Sequence, residues 1–543
     1  MLSYRKLAMR VLGRPLHTEG IDSPRPASQR AAALVLTAAM LTTLAAPAFA
    51  KTWYIENGNI TVKAGKIEGT NKVSQGETTD EKDTDTVITN RDKDTASSHT
   101  VTINANGKND KVEVTLKDVN IEANSGPALT SKGDVTLTLK GENHLTGGNG
   151  GRYGGSGITS NGSLTITGGE NDSLTAQGGS SADGGSGSYG GDGICSSSGG
   201  LTISGGTVNA AGGSGSYGGS GIYSRGGLTI SGGTVTANGG GDGSNVSGSG
   251  ITSNGGVTIS GGTVNAAGGS GSYGGNGIYS RSSLTISGGT INATGRDGKD
   301  GYGGGGIWSG SGGLTISGGT VTANGGSGSY GGDGICSIGG IAISGGTVTA
   351  NGGNGGDGIC SSGIDLSGSL ELTAKAGSPS GRALSQNGDE LDLNTIKDKL
   401  GPGAKVTATD ANGKVNQISI PRPVESEESS SSSSSSGGGS AAPSAPASPL
   451  PGLTVTDKSG AVIDSISTQS GNTLTVCVGR FTASFRISLA ALRQLRAEGI
   501  ETITFQTILC STTLSVDELL AIGGKDAEAV LTHRFTDSSL TVG

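Results

Sequence analysis

The chain has 543 residues, of which 106 are glycine, and aromatic residues make up only 3%. Glycine normally supplies roughly 7% of a protein, so this excess indicates repetition or disorder, and 13 prolines without a Gly-X-Y period exclude collagen. The net charge of −8 argues against a nucleic acid as the partner, since binding to phosphates needs clusters of Lys and Arg.

The first 50 residues have the pattern of an export signal. Basic residues up to Arg30 precede the apolar run AAALVLTAAMLTTLAAP, and Ala48-Phe49-Ala50 is the small-x-small motif that signal peptidase cleaves. We therefore expect residues 1–50 to be a signal peptide and the protein to be secreted by a bacterium or held at its cell surface. An uncleaved membrane anchor is the alternative, but the apolar run is short for a membrane span.

The central part of the chain is repetitive. Residues 51–110, with strand-like segments such as TWYIENGNITV, predict an N-terminal cap. Residues 111–380 repeat segments of the types GIYS, LTIS and TVNA, in which apolar and polar residues alternate as in half-buried strands. The LTI segments recur every 27 to 37 residues, at Leu164, Leu201, Leu228, Val257, Leu284, Leu314 and Ile341. Three strands per turn, or coil, predict an all-β parallel β-helix whose equivalent side chains form ladders about 4.8 Å apart.

Three segments follow the repeats. Residues 381–420 predict a C-terminal cap of the β-helix, and the Ser- and Pro-rich residues 421–451 predict a flexible linker. Residues 452–543 predict a small α+β module, whose role the sequence does not indicate. Within it, SLAALRQLRAEG predicts a helix from Ser488 to a stop at Gly499, and SVDELLAIGG predicts a second helix.

Two aromatic ladders are predicted on the β-helix. The loop GGSGSYGG occurs at 184–191, 212–219, 268–275 and 325–332. Six of eight coils carry tyrosine five residues before the Ile of the GI segment, at Tyr153, Tyr189, Tyr217, Tyr273, Tyr302 and Tyr330. We interpret these rings mainly as apolar anchors of the loops, with sugar stacking as the alternative. The residue after that Ile forms a second ladder, in which Tyr279 and Trp308 are outward-facing neighbours and the better candidates for glycan stacking.

The segment GRDGKDGY is the one charged interruption of the repeats, and it supplies Arg296 and Lys299 next to Tyr302. Basic groups beside exposed aromatic rings fit an acidic sugar, and in an enzyme they would serve as the base of a calcium-assisted reaction. A solvated loop is the alternative. The predicted glycan-binding residues are therefore Tyr279, Trp308, Tyr302, Arg296 and Lys299, and no residue is predicted to be catalytic.

Asp333 and Asp357 share a register on adjacent coils, two residues before the Ile of the GI segment. Their carboxylates would repel each other unless a cation or a proton lay between them, so they are the predicted calcium ligands, with solvated turn residues as the alternative. Cys336 and Cys360 share the next register, where a disulfide and two free thiols are equally compatible with the sequence.

The segment GPALTSKGDVTLTLKGENHLTG, followed by repeats of GI-x-S-x-G-x-LTI-x-GGT, resembles the bacterial secreted carbohydrate-binding domain-containing proteins over residues 80–375. The resemblance implies a right-handed parallel β-helix related in shape to pectate lyases, calcium binding, and plant cell-wall polysaccharides such as pectin as ligands. The family's turns are often rich in Asp, whereas Ser, Asn and Gly fill most of these positions here.

Together these observations predict an exported protein that binds an extended polysaccharide, acidic if the basic loop contacts it, along one flank of the β-helix. A calcium-assisted polysaccharide lyase is the enzymatic alternative. A surface adhesin or spacer without a glycan ligand is the structural alternative. No nucleic-acid partner and no membrane insertion after signal cleavage are expected, and the sequence leaves the oligomeric state open.

Overall fold

A computed structural model describes residues 50–421, except 68, 106, 108–109, 182–186 and 242–244. It also describes residues 452–542, except 458–461, 464, 471, 479–481, 508–510, 523–527 and 534–537. The predicted signal peptide up to residue 49 and the predicted linker from residue 422 lie outside these residues. The chain divides into two compact units, at residues 425 and 426, which are described separately. Within the described ranges, no helix has the length and apolarity needed to cross a membrane.

The first unit is a parallel β-solenoid of about 13 turns, which confirms the predicted fold class. Its three sheets are named here after their repeated segments: the LTI sheet and the TV sheet have 12 strands each, and the GI sheet has 15. Each coil of the repeat contributes one strand to each sheet, and antiparallel strands at the two ends make the GI sheet larger. Successive coils pair in parallel and in register, as in the pairing of Ile222 with Ile251 and of Leu228 with Val257.

The strand bounds follow the repeat. The LTI sheet consists of Thr52–Tyr54, Val87–Thr89, Lys111–Lys117, Asp134–Lys140, Leu164–Thr167, Leu201–Ile203, Leu228–Ile230, Val257–Ile259, Leu284–Ile286, Leu314–Ile316, Ile341–Ile343 and Ile364–Leu366. The TV sheet consists of Asn120–Glu122, Glu142–Thr146, Ser173–Gln177, Thr207–Ala211, Thr234–Asn238, Thr263–Ala267, Thr290–Thr294, Thr320–Asn324, Thr347–Asn351, Glu371–Lys375, Lys405–Thr409 and Val415–Ser419. The GI sheet consists of Ile60–Ala64, Asn71–Gln75, Thr78–Asp83, Val101–Asn104, Leu129–Lys132, Ile158–Asn161, Ile194–Ser196, Ile222–Ser224, Ile251–Ser253, Ile278–Ser280, Ile307–Ser309, Ile335–Ser337, Ile359–Ser361, Leu384–Gln386 and Asp389–Glu390.

The core is a continuous apolar column inside the three sheets. In one coil, Ile222, Leu228 and Val235 are each at most 2% exposed, and the alternate residues of the same strands face outward. Because each coil repeats this pattern, every inward side chain packs on its equivalent in the coils above and below. The period-two alternation thus determines which residues are available on the outer surface.

Serine forms a second buried column, which the sequence analysis missed. In the GI-x-S strands from Ile158 to Ile359 the serine at the third position points inward. In most of them its hydroxyl donates to a carbonyl in the turn that follows, as Ser196 does to Gly199 at 2.7 Å and Ser280 does to Ser283 at 2.9 Å, whereas the Ser337 hydroxyl has no partner among the described residues. The invariant serine after GI-x was the available signal in the sequence. These bonds satisfy the turn carbonyls that burial would otherwise leave without partners.

Antiparallel strands end the GI sheet on both sides and the TV sheet on its C-terminal side. Near the N-terminus, Ile60–Ala64 pairs antiparallel with Asn71–Gln75, and the buried Trp53 indole donates to Asp83 at 2.7 Å. Near the C-terminal end, Val415–Ser419 pairs antiparallel with Lys405–Thr409. Short 3-10 helices lie at Ile55–Asn57 and Leu393–Lys399.

The second unit is a small α+β module with two four-stranded sheets. One sheet consists of Leu453–Thr456, Ala483–Ser488, Glu528–His533 and Ser538–Val542, and the other of Ile466–Ser470, Thr473–Cys477, Thr502–Gln506 and Ser511–Ser515. Helix α1 spans Leu489–Ala497 and helix α2 spans Val516–Ile522, where the sequence predicted helices. The Ser488 hydroxyl accepts a hydrogen bond from the Ala491 N–H and caps α1.

Candidate functional site

The outer face of the GI sheet carries the Tyr279–Trp308 pair. The two residues are in register on adjacent strands, and their rings stack with centroids 4.6 Å apart and planes 19° apart. Both side chains are partly exposed, as predicted for outward-facing residues. The stacking follows from the parallel register, because equivalent side chains in adjacent coils lie one strand spacing apart.

The loop tyrosines form a more exposed ladder than the sequence analysis expected. Neighbouring rings stack at 4.8 Å for Tyr189 with Tyr217 and for Tyr302 with Tyr330, and at 6.2 Å for Tyr273 with Tyr302. Tyr302 is 56% exposed and Tyr330 is 63% exposed. Val246 interrupts the ladder, and Asn354 follows Tyr330 in the next coil. The upper face of the Tyr330 ring therefore has no aromatic neighbour from the next coil.

The loops of adjacent coils are joined by hydrogen bonds of the glycine backbone. Within each coil the Gly-Gly pairs at the two ends of the loop meet, and they also bond to the next coil: Gly219 N–H donates to Gly213 at 3.0 Å, and Gly240 N–H donates to Gly219 at 2.7 Å. We call this chain of hydrogen bonds, which runs from Gly148 to Gly381, the glycine seam. The interpretation of the rings as loop anchors stays a prediction, but the glycine backbone already supplies hydrogen bonds that join the loops.

The charged loop projects from this seam. Arg296 takes a glycine position in it, since its N–H donates to Gly275 at 3.0 Å and its carbonyl accepts from Gly304 at 2.8 Å. Its exposed side chain donates from Nε to the Gly268 carbonyl at 3.2 Å, and Lys299 is also exposed. Among the ion pairs of the described residues, none includes Arg296 or Lys299, so both cations remain available to an anionic ligand.

The register of Asp333 and Asp357 is a row of side chains that cap the next coil. Asp333 Oδ1 accepts from the Asp357 N–H at 2.8 Å, and Asp357 Oδ1 accepts from the Arg382 N–H at 2.7 Å. In the same register, Asp192 accepts from the Ser220 N–H at 2.7 Å and Asn276 accepts from the Gly305 N–H at 2.6 Å. This structural role was not recognised from the sequence, and it uses one oxygen of each carboxylate.

Asp333 also belongs to a cluster with two cysteines. One carboxylate oxygen of Asp333 and the sulfur atoms of Cys336 and Cys360 all lie within 4.8 Å of one another, and all three residues are partly buried. Both cysteines are free thiols, as are Cys195 and Cys477, so the structure contains the thiol form of the two alternatives. Calcium prefers six to eight oxygen ligands, and a donor set with two sulfur atoms does not fit that preference.

Burial affects the acidity of this row. It raises the pKa of Asp192 to about 6, although the Ser220 N–H opposes the change. Burial and the neighbouring Asp192 carboxylate raise the pKa of the Cys195 thiol to about 12. The pKa of Asp333 is also raised, first by burial and then by the charge of Asp357. The Asp192 and Asp333 carboxylates are therefore harder to ionise than ordinary surface carboxylates.

Comparison with known proteins found no matching family model, no matching curated protein and no matching solved structure. The β-solenoid rests on the structure itself. The resemblance to secreted carbohydrate-binding proteins rests on the repeat motifs alone.

Proposed function

We propose that the protein binds an extended acidic polysaccharide along the flank formed by the outer face of the GI sheet and the loops that precede it. The observation that carries the proposal is the exposed Tyr302–Tyr330 pair in the same region of the solenoid as Arg296 and Lys299. The family resemblance over residues 80–375 supports the same ligand class.

The geometry of the ladder determines how a glycan would contact it. Stacked rings offer their edges and hydroxyl groups along the flank, and Tyr330 offers a full face at the end of its ladder. The repeat of about 4.8 Å per coil is close to the length of one sugar unit in an extended chain. Successive sugars would therefore meet equivalent groups on successive coils.

The charged loop supplies the preference for acidic sugars. The Arg296 guanidinium and the Lys299 ammonium are exposed and can pair with uronate carboxylates, for which a guanidinium is the better geometric match. Asp297 and Asp300 share the loop, but the Asp297 carboxylate already accepts from the Ser327 N–H at 2.6 Å. One oxygen of this carboxylate is therefore already engaged by a backbone hydrogen bond.

A spacer without a ligand is the second candidate, because the tyrosine rings stack on one another and this packing needs no glycan. Calorimetric titration of the chain from Lys51 with polygalacturonate distinguishes the two. We expect saturable binding that weakens about tenfold or more in the double variant Tyr302→Ala, Tyr330→Ala, since each aromatic contact contributes about 0.5–1.5 kcal/mol.

The matched control is the double variant Tyr189→Ala, Tyr217→Ala. These rings occupy the same register and stack at 4.8 Å, as Tyr302 and Tyr330 do, but in coils without the charged loop. No binding by the parent chain would favour the spacer, whereas equal losses in both double variants would show that binding does not depend on the charged loop. Release of unsaturated uronates during the titration would instead favour the lyase hypothesis, and repetition with a chelator tests the predicted calcium dependence.

A further inference from the structure

We propose that Asp333, Cys336 and Cys360 form a binding site for a thiophilic divalent metal ion, with Zn²⁺ as the expected occupant. The three potential ligand atoms already lie within 4.8 Å of one another. The proposal is independent of glycan binding, since none of its ligands is a predicted sugar contact.

The placement of the ligands follows from a repeated tetrapeptide. The sequence DGIC occurs at 192–195, 333–336 and 357–360. The second and third copies lie on adjacent coils, where Cys336 and Cys360 pair in parallel register. The cluster therefore combines the two thiols of neighbouring strands with the carboxylate that precedes one of them.

The donor set selects the metal. Zinc is commonly bound by four ligands in a tetrahedron, and sites with three protein ligands keep a water molecule in the fourth position. Two thiolates and one carboxylate provide this set, and thiolates favour zinc over calcium and magnesium. Zn–S bonds of about 2.3 Å place two sulfur atoms about 3.8 Å apart, so small side-chain rotations from the present separations would close the site.

The surroundings hold the ligands in place. Ile335 and Ile359, which precede the two cysteines, are fully buried and fix the strand backbones. In the cysteine register, Trp308 lies on the strand before Cys336, and Ser385 lies on the strand after Cys360. The Asp357 N–H holds one oxygen of Asp333, which orients the carboxylate, as outer-sphere hydrogen bonds do in metal sites. All three ligands are partly exposed, so an ion can enter from solvent.

The chain contains its own control in the first DGIC copy. Cys195 pairs in register with Thr159 on one side and Tyr223 on the other, so Asp192 and Cys195 have no second thiol in this register. The second and third copies of the tetrapeptide together therefore supply the complete proposed ligand set, whereas the first copy supplies only one thiol and one carboxylate.

The test is a Co²⁺ titration of the full chain, reduced and freed of metal, in a background with Cys477→Ser and Cys510→Ser. We expect sulfur-to-cobalt charge-transfer absorption that saturates at one equivalent, disappears on addition of Zn²⁺ and is unaffected by Ca²⁺. Absent absorption, or displacement by Ca²⁺ as effectively as by Zn²⁺, would overturn the proposal.

Variants locate the ion. Cys336→Ser and Cys360→Ser should each weaken Zn²⁺ binding at least about 100-fold, more than loss of an outer-sphere partner does, whereas Cys195→Ser should leave it unchanged. Serine is tolerated in this register, as Ser385 shows, and thermal unfolding of the metal-free variants checks that they fold. Equal effects of Cys195→Ser and Cys336→Ser would contradict the site. So would a Cys336–Cys360 disulfide, seen by intact mass, that forms even with stoichiometric Zn²⁺ present.

Discussion

Individual residues take their roles in this protein from their equivalents in neighbouring coils. Asp192 and Asn276 occupy the same register and make the same bond to the next coil, at 2.7 and 2.6 Å. Only the aspartate must be ionised at neutral pH in a largely buried position, where the charged form is disfavoured. Asparagine keeps the accepting oxygen without the charge. The two residues therefore make the same hydrogen bond, but only the aspartate carries the free-energy cost of burying a charge.

This difference predicts that Asp192→Asn changes the stability of the folded chain by an amount that depends on pH. The pKa of Asp192 is raised from 3.8 to about 6 in the folded chain, so the folded state favours the protonated form. Protonation of Asp192 therefore stabilises the folded state fully below pH 4, and this contribution is lost as the pH rises through about 6. Above pH 6 the variant should be more stable than the parent by about 1–3 kcal/mol, and the advantage should shrink below pH 4.

Thermal unfolding midpoints of the two chains at pH 7.5 and pH 4 measure this effect. If the variant's unfolding midpoint differs from that of the parent by the same amount at both pH values, ionisation of Asp192 is not the cause of the difference. The control is Asn276→Asp. This variant should become less stable relative to the parent chain as the pH rises from 4 to 7.5, because the introduced carboxylate ionises.

At the scale of structural elements, the glycine seam explains why the loops repeat so faithfully. A Cβ atom on Gly219 would lie 2.0 Å from the Gly191 carbonyl oxygen, and one on Gly240 would lie 2.1 Å from the Gly213 carbonyl oxygen. Both neighbours are backbone atoms of the previous coil, which cannot move aside without separating the coils. Close approach of backbone to backbone therefore selects glycine at these positions.

Gly219→Ala should consequently destabilise the solenoid by at least about 1–3 kcal/mol, the usual cost of overpacking. The matched control is Gly363→Ala, where an added Cβ meets no atom within 4 Å and φ lies outside the left-handed region. That variant should be neutral or slightly stabilising, because alanine restricts the unfolded chain. Chemical denaturation of both variants measures the difference, and equal midpoints would contradict a role for the seam.

At the scale of the whole molecule, the solenoid converts a local repeat into a long surface with one set of groups per coil. The LTI strands and the GI strands pair in register along the stack, so ladders of one residue type can extend over several coils. The charged loop interrupts this uniformity in one coil. A ligand that lies along the stack therefore meets repeated contacts and, at this coil, the exposed pair Arg296 and Lys299.

This arrangement predicts that binding to an acidic glycan depends on salt. The affinity for polygalacturonate should fall as NaCl is raised from 50 to 500 mM (about a threefold change in screening length), because Arg296 and Lys299 are exposed. The double variant Arg296→Ala, Lys299→Ala should bind more weakly at low salt and show a smaller dependence on salt. Calorimetry at several salt concentrations checks both effects, and unchanged salt dependence in the variant would place the contact elsewhere.

Sequence reasoning predicted the repeat, the strand segments, the outward position of Tyr279 and Trp308, and both helices of the C-terminal module. These features depend on local patterns: period-two alternation assigns residues to a face, and capping residues such as Ser488 mark where a helix begins. It missed the buried serine column and the capping bonds of the Asp333 register. Both depend on contacts that the alternation of a single strand does not contain.

The sequence by itself therefore determined the coil and its faces, because these follow from spacing within about 27 residues of chain. Only the tertiary structure decided how loops of adjacent coils meet. It showed that glycine backbone hydrogen bonds join the loops of adjacent coils, and it brought Asp333 to the thiols of Cys336 and Cys360. The physical reason is that loop residues have no regular alternation, so their neighbours depend on the coil stacked next to them.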